Sequence, residues 1–438
     1  MIIPHQMKGK SVAILGLGRS GMGACHALLA AEAKCYIYDD NQIPDHSPKG
    51  AMITAPDAWP WAELDALVIS PGIPTTYPKP HPVASMAKAN GVPIISDITL
   101  MTGAGIKAKI IGITGTNGKS TTTSLVTHLL HRMGISAQSG GNIGTPVMAL
   151  DDPGPDGVIV LELSSYQLDI SPGLKLDAAA VLNITPDHLD RHGGWDGYVA
   201  SKARIADALP QSQNLLIGND AGCQALANHL SHQGVQIDPK CAPQTGLPPS
   251  LRGAHNQMNI AAAISLLGQL GISAADWGNL LSDFVGLPHR MEWVAHHKGV
   301  DFINDSKATN GVAAAKALNS FPNIYWIAGG RMKDDVLGDA INALDHVCQA
   351  YLIGECTDHF AEALDGLVPY HKSGDIIVAT RQAYDAARHD AKPGATVLLS
   401  PAAASFDQFA NFEERGTYFR DAVESMLSQD HKRDQAHV

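Results

Sequence analysis

The stretch GITGTNGKST, Gly112 to Thr121, decides how this chain is expected to fold. It continues the apolar run KIIGITG (109 to 115) and opens a long helical pattern from Lys119 to Met133, which Gly134 stops. A glycine-rich turn between strand and helix lets backbone N–H groups converge on phosphate oxygens, and the helix N-terminus adds partial positive charge. Lys119 is placed to reach the β and γ phosphates and Ser120 or Thr121 to ligate Mg²⁺, with Gly115, Thr116, Asn117 and Gly118 forming the cradle. A nucleoside triphosphate is the expected ligand. One departure from GxxxxGK[ST] stands out: Ile113 lies five residues before Gly118, and the first glycine comes one place early, at Gly112.

Working downstream, GVIVLEL (157 to 163) and AAAVLNI (178 to 184) read as further buried strands. Glu162, ending the apolar run VIVLEL, stands where a carboxylate can meet a phosphate-bound Mg²⁺, because that ion prefers hard oxygens held rigidly. His188 in NITPDHLDRH, flanked by Asp187 and Asp190, follows the next strand. The proline-rich stretch DPKCAPQTGLPPSLRG (238 to 253) reads as an irregular loop, followed by a helix over 255 to 271.

Upstream, SVAILGLG (11 to 18), a helix from Ser20 to Ala33, KCYIYDD (34 to 40) and ALVIS (66 to 70) alternate as β-α-β, which predicts a parallel sheet covered by helices. GLGRSG (16 to 21), with Asp39 and Asp40 about twenty residues later, matches the dinucleotide pattern of a tight turn, a close diphosphate and an acid toward a ribose or base. Alone it would suit an NAD-dependent dehydrogenase, but the same physics serves any nucleotide diphosphate. After LPHR (287 to 290), the runs VDFINDS, NIYWIAGG, AYLIGE, DIIVAT and ATVLLSP read as strands of another doubly wound sheet. The tail SQDHKRDQAHV is expected to fray. The predicted fold is therefore α/β with three domains: a Rossmann-like one over 1–97, a central P-loop ATPase domain with a mostly parallel sheet over 98–286, and a second Rossmann-like domain over 287–438.

Composition narrows the function classes. The 438 residues carry a net charge of −12, which argues against nucleic acid or anionic lipid as a nonspecific partner. Hydrophobic residues make up 45% and charged residues 17%, the balance of a globular protein, and no apolar run reaches the roughly 18 residues of a membrane span. The six cysteines form no CxxC pair and no zinc spacing, so a reducing cytoplasm is expected, and no apolar leader follows MIIPHQMKGK.

The motifs in order strongly resemble the Mur ligases: GITGTNGKST, GNIG (141 to 144), LELSSYQL (161 to 168), NITPDHLDRH (183 to 192), SKARI (201 to 205), HNQMN (255 to 259), LPHRME (287 to 292), DSKATN (305 to 310), GGRMK (329 to 333) and SPAAASFDQFANFEERG (400 to 416). The last block and DSKATN discriminate best. The resemblance implies a cytoplasmic, monomeric, ATP- and Mg²⁺-dependent amide ligase that joins D-glutamate to UDP-N-acetylmuramoyl-L-alanine through an acyl phosphate. The alternatives are another amino-acid ligase of the superfamily, including the folylpolyglutamate synthetase type, and the dehydrogenase reading, which leaves GTNGKST without a purpose.

By the same resemblance, Lys119, Glu162, His188 and Lys202 carry the catalysis, and Ser120, Thr121, Glu162, His188 and Lys202, the last as a carbamate, hold metal. Asn256 and Asn259, three apart on one helix face, would offer an amide to adenine, while Arg290, Asp305 and Lys307 border the nucleotide. Gly18, Arg19, Ser20, Asp39, Ser70, Gly72 and Asn142 match the UDP-sugar side. Thr309, Lys333, Ser405, Phe406 and Phe412 match the D-glutamate pocket, where Phe406 and Arg331-Met332 depart from the usual leucine and smaller loop.

Overall fold

The computed structural model describes residues 1–41, 48–227, 229–230, 234–251, 253–332 and 337–436. The chain is mixed α/β and divides into two compact units, one made of Met1–Gln244 with His255–Leu280, the other of Thr245–Ala254 with Leu281–Val438.

The first unit holds two parallel sheets. One contains β1 (Ser11–Leu15), β2 (Lys34–Tyr38), β3 (Met52–Ile53), β4 (Ala66–Ile69) and β5 (Ile94–Ile95) in the order β3-β2-β1-β4-β5. The order reverses between β1 and β4, which opens a crevice at the carboxyl ends of those strands, where GLGRSG lies. The second sheet contains β6 (Lys109–Thr114), β7 (Ala137–Gly141), β8 (Val158–Glu162), β9 (Ala178–Val181), β10 (Leu215–Ile217) and β11 (Gly234–Gln236), ordered β11-β10-β9-β6-β8-β7. Both faces are covered, so β8 and β9 are buried at every position and read as unbroken apolar runs. Ile111 and Ile113 of β6 are fully buried, each worth about 2–3 kcal/mol against exposure, and they fix the strand that delivers the phosphate loop.

The second unit contains β12 (Glu292–His297), β13 (Val300–Asn304), β14 (Asn323–Gly329), β15 (Val347–Ile353), β16 (Tyr370–Gly374) and β17 (Ala395–Leu399), ordered β12-β13-β17-β14-β15-β16. Among the described residues, only β12 runs antiparallel to its neighbour in this sheet.

Two expectations need correction here. DIIVAT is not a strand but the start of a helix, Ile376–Asp390. The Asp375 carboxylate accepts from the Ile377 and Val378 amides, so a helix cap overrides the β-branched run. Burial then follows a helical period through Ile376, Ala379, Thr380, Ala383 and Ala387, leaving Ile377 and Val378 outside, and the actual edge strand is the polar YHKSG just before. The tail likewise does not fray where expected, because the helix Phe412–Ala436 runs on through it. Asp430, only 8% exposed, is held 3.3 Å from Arg381 and 3.7 Å from Arg388, which pins that helix to its neighbour.

Candidate active site

The phosphate loop is shorter than the sequence motif. Gly112 lies inside β6, where a Cβ would sit 2.5 Å from Leu176 Cδ1 and 3.2 Å from Leu163 Cδ1, so it serves strand packing and the turn proper runs from Gly115 to Gly118. Gly118 takes φ +82° and abuts the Asn259 amide, two reasons why no side chain fits there. The helix Lys119–Arg132 begins at once.

Side chains lock this turn from behind. Asn117 N donates to Asn183 Oδ1 at 2.8 Å while Asn183 Nδ2 donates to Asn117 O at 3.0 Å. The Thr116 hydroxyl lies 3.0 Å from Tyr198 OH. Asn256 and Asn259 are buried, and Asn259 Nδ2 donates to Asn256 Oδ1 at 3.0 Å, which sets this pair behind Gly118 and Thr122.

Two lysines converge on the loop. Lys119 Nζ donates to Gly115 O and Thr116 O, each at 2.9 Å, and Lys202 Nζ donates to Gly115 O at 2.9 Å. Lys202 is 1% exposed; burial first, then the charge of Lys119, lower its pKa to about 7. A neutral amine is therefore within reach at ordinary pH.

Glu162 ends β8 in register with Ile113 of β6 and Gly141 of β7, which sets it beside the loop. It is 2% exposed; Oε1 accepts from Asn142 Nδ2 at 2.8 Å, and Oε2 has no partner among the described residues. A buried carboxylate oxygen of this kind fits a hard divalent cation that keeps part of its water shell. His188 takes a left-handed backbone with φ +50° and is half-exposed, with Nε2 3.5 Å from Asp187 Oδ2. Among the described residues no three His, Cys, Asp or Glu side chains converge as a metal cage, so such a cation would rest on few protein ligands.

A cavity of about 260 Å³ opens next to this centre. Gly18, Arg19, Ser20, Ser70 and Asn142 line it, as expected from the sequence. Pro71, Gly141, Gly144, Pro146 and Gln167 also line it and were missed; only GNIG and LELSSYQL hinted at them. Asn142 thus touches both the cavity and Glu162. Asp39 closes the GLGRSG turn, its Oδ2 accepting from Leu17 N at 2.6 Å and its Oδ1 from Asn41 N at 2.9 Å. Ser70 Oγ donates to Gly16 O at 3.0 Å, and Asp97, which accepts from the Ile98 amide, is buried, which raises its pKa to about 6.

In the second unit, Asp305 is buried, which raises its pKa to about 7; it accepts from Ser400 Oγ at 3.0 Å and Met291 N at 3.1 Å. Arg290 sits in the turn just before, its N–H donating to Leu287 O at 3.0 Å. Lys307 Nζ lies 4.9 Å from the centre of the Phe412 ring, and Ser306 Oγ donates to Phe412 O, so DSKATN and NFEERG meet. Arg415, 1% exposed, joins these loops by donating to Ser306 Oγ and O, Gly329 O and Ala403 O. Thr309 is half-buried beside Lys307, Ser405 is buried, and Phe406 is 62% exposed. Lys333 lies outside the described residues.

Comparison with known proteins follows the same division. The Mur ligase middle domain matches residues 113–240, and the Mur ligase glutamate ligase domain matches residues 289–403. The chain is 43% identical to the UDP-N-acetylmuramoylalanine–D-glutamate ligase of Novosphingobium aromaticivorans, covering 98% of this chain and 97% of that one. It is 40% identical to the enzyme of the same name from Paramagnetospirillum magneticum, over 97% and 98%. Among solved structures, the UDP-N-acetylmuramate-alanine ligase of Thermotoga maritima shares the fold with a TM-score of 0.57 at 17% identity, over 95% of this chain and 99% of that one. The D-alanyl-D-alanyl-adding ligase of Acinetobacter baumannii gives 0.57 at 16%, over 97% and 92%.

Proposed function

This chain belongs to the Mur ligase family and is an ATP-dependent ligase of peptidoglycan precursor synthesis, and from that premise we propose how its residues join D-glutamate to UDP-N-acetylmuramoyl-L-alanine. The observation that carries the reading is Asn142, which lines the cavity and holds Glu162 beside the phosphate loop. A sugar nucleotide in the cavity would bring its alanine carboxylate next to the γ-phosphate. The three sheets are read as the three domains 1–97, 98–286 and 287–438.

The chemistry joins two anions. An alanine carboxylate oxygen attacks the γ-phosphorus as the bond to ADP breaks; the amine of D-glutamate then attacks the acyl carbon, loses a proton, and inorganic phosphate leaves. Gly115 to Thr121 hold the triphosphate, and Lys119, now on the Gly115 and Thr116 carbonyls, turns to the transferring phosphoryl group and offsets its charge. Ser120 or Thr121 with Glu162, and His188, would hold Mg²⁺, which supplies charge neutralisation between the phosphates. Lys202, buried and able to be neutral, is suited to add CO₂ through its nitrogen, releasing a proton and turning a cation into an anion beside that metal position. By the family resemblance Asn256 and Asn259 would offer an amide to adenine, and Arg290, Asp305 and Lys307 would border the nucleotide and its phosphates. Gly18, Arg19, Ser20, Asp39, Ser70 and Gly72 hold the uridine diphosphate side. Thr309, Lys333, Ser405, Phe406 and Phe412 receive D-glutamate.

The test is phosphate release from ATP with UDP-N-acetylmuramoyl-L-alanine and, in parallel, D-glutamate, L-glutamate, L-lysine and meso-diaminopimelate. D-Glutamate should be used; L-lysine, which lacks the second carboxylate, should be rejected because a buried carboxylate partner left unpaired costs several kcal/mol. The preference over L-glutamate and meso-diaminopimelate rests on the family resemblance. Preference for any of the other three would assign the chain a different substrate within the family.

A further inference from the structure

Arg191, in the motif NITPDHLDRH but given no role above, reaches from the helix Leu189–His192 to the turn that follows β4. Its Nη1 donates to Gly72 O at 2.6 Å, and its Nη2 lies 3.5 Å from Pro71 O. The guanidinium carbon sits 4.7 Å from the centre of the Tyr166 ring. Tyr166 in turn stacks on His192 at 5.4 Å and tilts against His188 at 5.1 Å. His192 is itself fixed, with Nε2 2.9 Å from Ser165 Oγ and Nδ1 3.2 Å from Asp169.

A second contact joins the same two segments. Gly193 has φ +70°, and a Cβ there would lie 2.9 Å from two carbons of the Tyr77 ring, so its bareness lets the Ser70–Tyr77 segment lie against the end of the helix. Pro71 and Ser70 form one wall of the cavity, and Gln167, next to Tyr166, forms part of another. Arg191 therefore touches the back of the Ser70–Pro71 wall and the neighbour of Gln167 without lining the cavity.

We propose that Arg191 is a positioning residue: through Gly72 and Pro71 it ties the Ser70–Pro71 wall of the sugar-nucleotide cavity to the segment carrying His188, and so fixes where the alanine carboxylate lies relative to the phosphate loop. The proposal rests on the substrate reading above. A planar fork stacked on an aromatic ring and bonded to neighbouring carbonyls is a geometry that lysine cannot reproduce.

The experiment measures kcat, the KM for each substrate and the melting midpoint for wild type, Arg191→Ala and Arg191→Lys. In Arg191→Ala, kcat/KM for UDP-N-acetylmuramoyl-L-alanine should fall about 100-fold, the scale of a misplacement of about 1 Å. The KM for ATP should stay unchanged, and added methylguanidinium should restore part of the loss. Arg191→Lys should show the same defect in the sugar-nucleotide constants. If truncation unfolds the chain, Arg191→Lys carries the test by itself. Wild-type sugar-nucleotide constants in either folded variant, or equal rises in both KM values, would overturn the positioning role. Wild type that releases no phosphate with this substrate would instead overturn the functional reading.

Discussion

Two glycine-rich turns in the first unit, GLGRSG after β1 and GTNGKS after β6, each lead from a parallel strand into a helix, yet they differ in electrical character. At the second, Lys119 and Lys202 meet on the Gly115 carbonyl, and Glu162, at the end of the neighbouring strand, keeps one oxygen uncommitted. At the first, Asp39 takes the Leu17 amide directly, so the turn is closed by a carboxylate rather than by lysines. Identical backbone logic thus serves two ligand parts: a cation-lined turn suits a transferring phosphoryl group, and an acid-closed turn suits hydroxyls and a base.

The deepest cut into this contrast is Lys119→Ala. Removing the preorganised cation should cost about 100-fold or more in turnover while leaving uridine nucleotide binding intact, as calorimetry would show. Near-normal phosphate release would erase the distinction between the turns.

Next comes Lys202→Ala, expected to lose on the order of 10- to 100-fold in activity and to recover partly with a short carboxylate that fills the anionic position. Full activity in carbon-dioxide-depleted buffer would remove the carbamate role.

At the other turn, Asp39→Asn should raise the KM for the sugar nucleotide about tenfold, the weight of one charged hydrogen bond, and leave that for ATP unchanged. An equal change in both would mean that the two turns are not separate sites.

The smallest effect concerns stability. Burial raises the Asp97 pKa from 3.8 to about 6, so the folded state holds that proton more tightly than the unfolded chain. Stability present below about pH 4 is then lost as pH rises through 6, by an amount of about 3 kcal/mol at most. Asp97→Asn should flatten this part of the melting curve between pH 4 and 7; an unchanged slope would show that Asp97 titrates as an ordinary surface acid.

The phosphate turn was legible because its signal is local: strand, glycines, lysine and helix lie within about a dozen residues, and Glu162 follows from a strand end, whereas Asn142 came only with the family resemblance. What escaped depends on tertiary contact. Nothing near Arg191 in sequence indicates Gly72, more than a hundred residues away, and nothing in LELSSYQL indicates that Gln167 both caps its own helix and lines a cavity. DIIVAT was misread because β-branched residues favour strands unless an N-cap such as Asp375 claims the amides. Gly112 was counted toward the loop because a motif cannot tell a turn glycine from one that makes room for Leu176.

The helix Phe412–Ala436 has one more consequence. At Arg415 it grips the loops after β13 and β14, and at Asp430 it is clasped by Arg381 and Arg388. Fifteen residues separate the two grips, about 22 Å of rigid rod at 1.5 Å per residue. A rod pinned at both ends transmits rotation and sliding, so the surface clasp sets the angle at which Arg415 presents the Ser306 loop. Loosening the Arg381 and Arg388 clasp would then be felt mechanically at a site these arginines never touch.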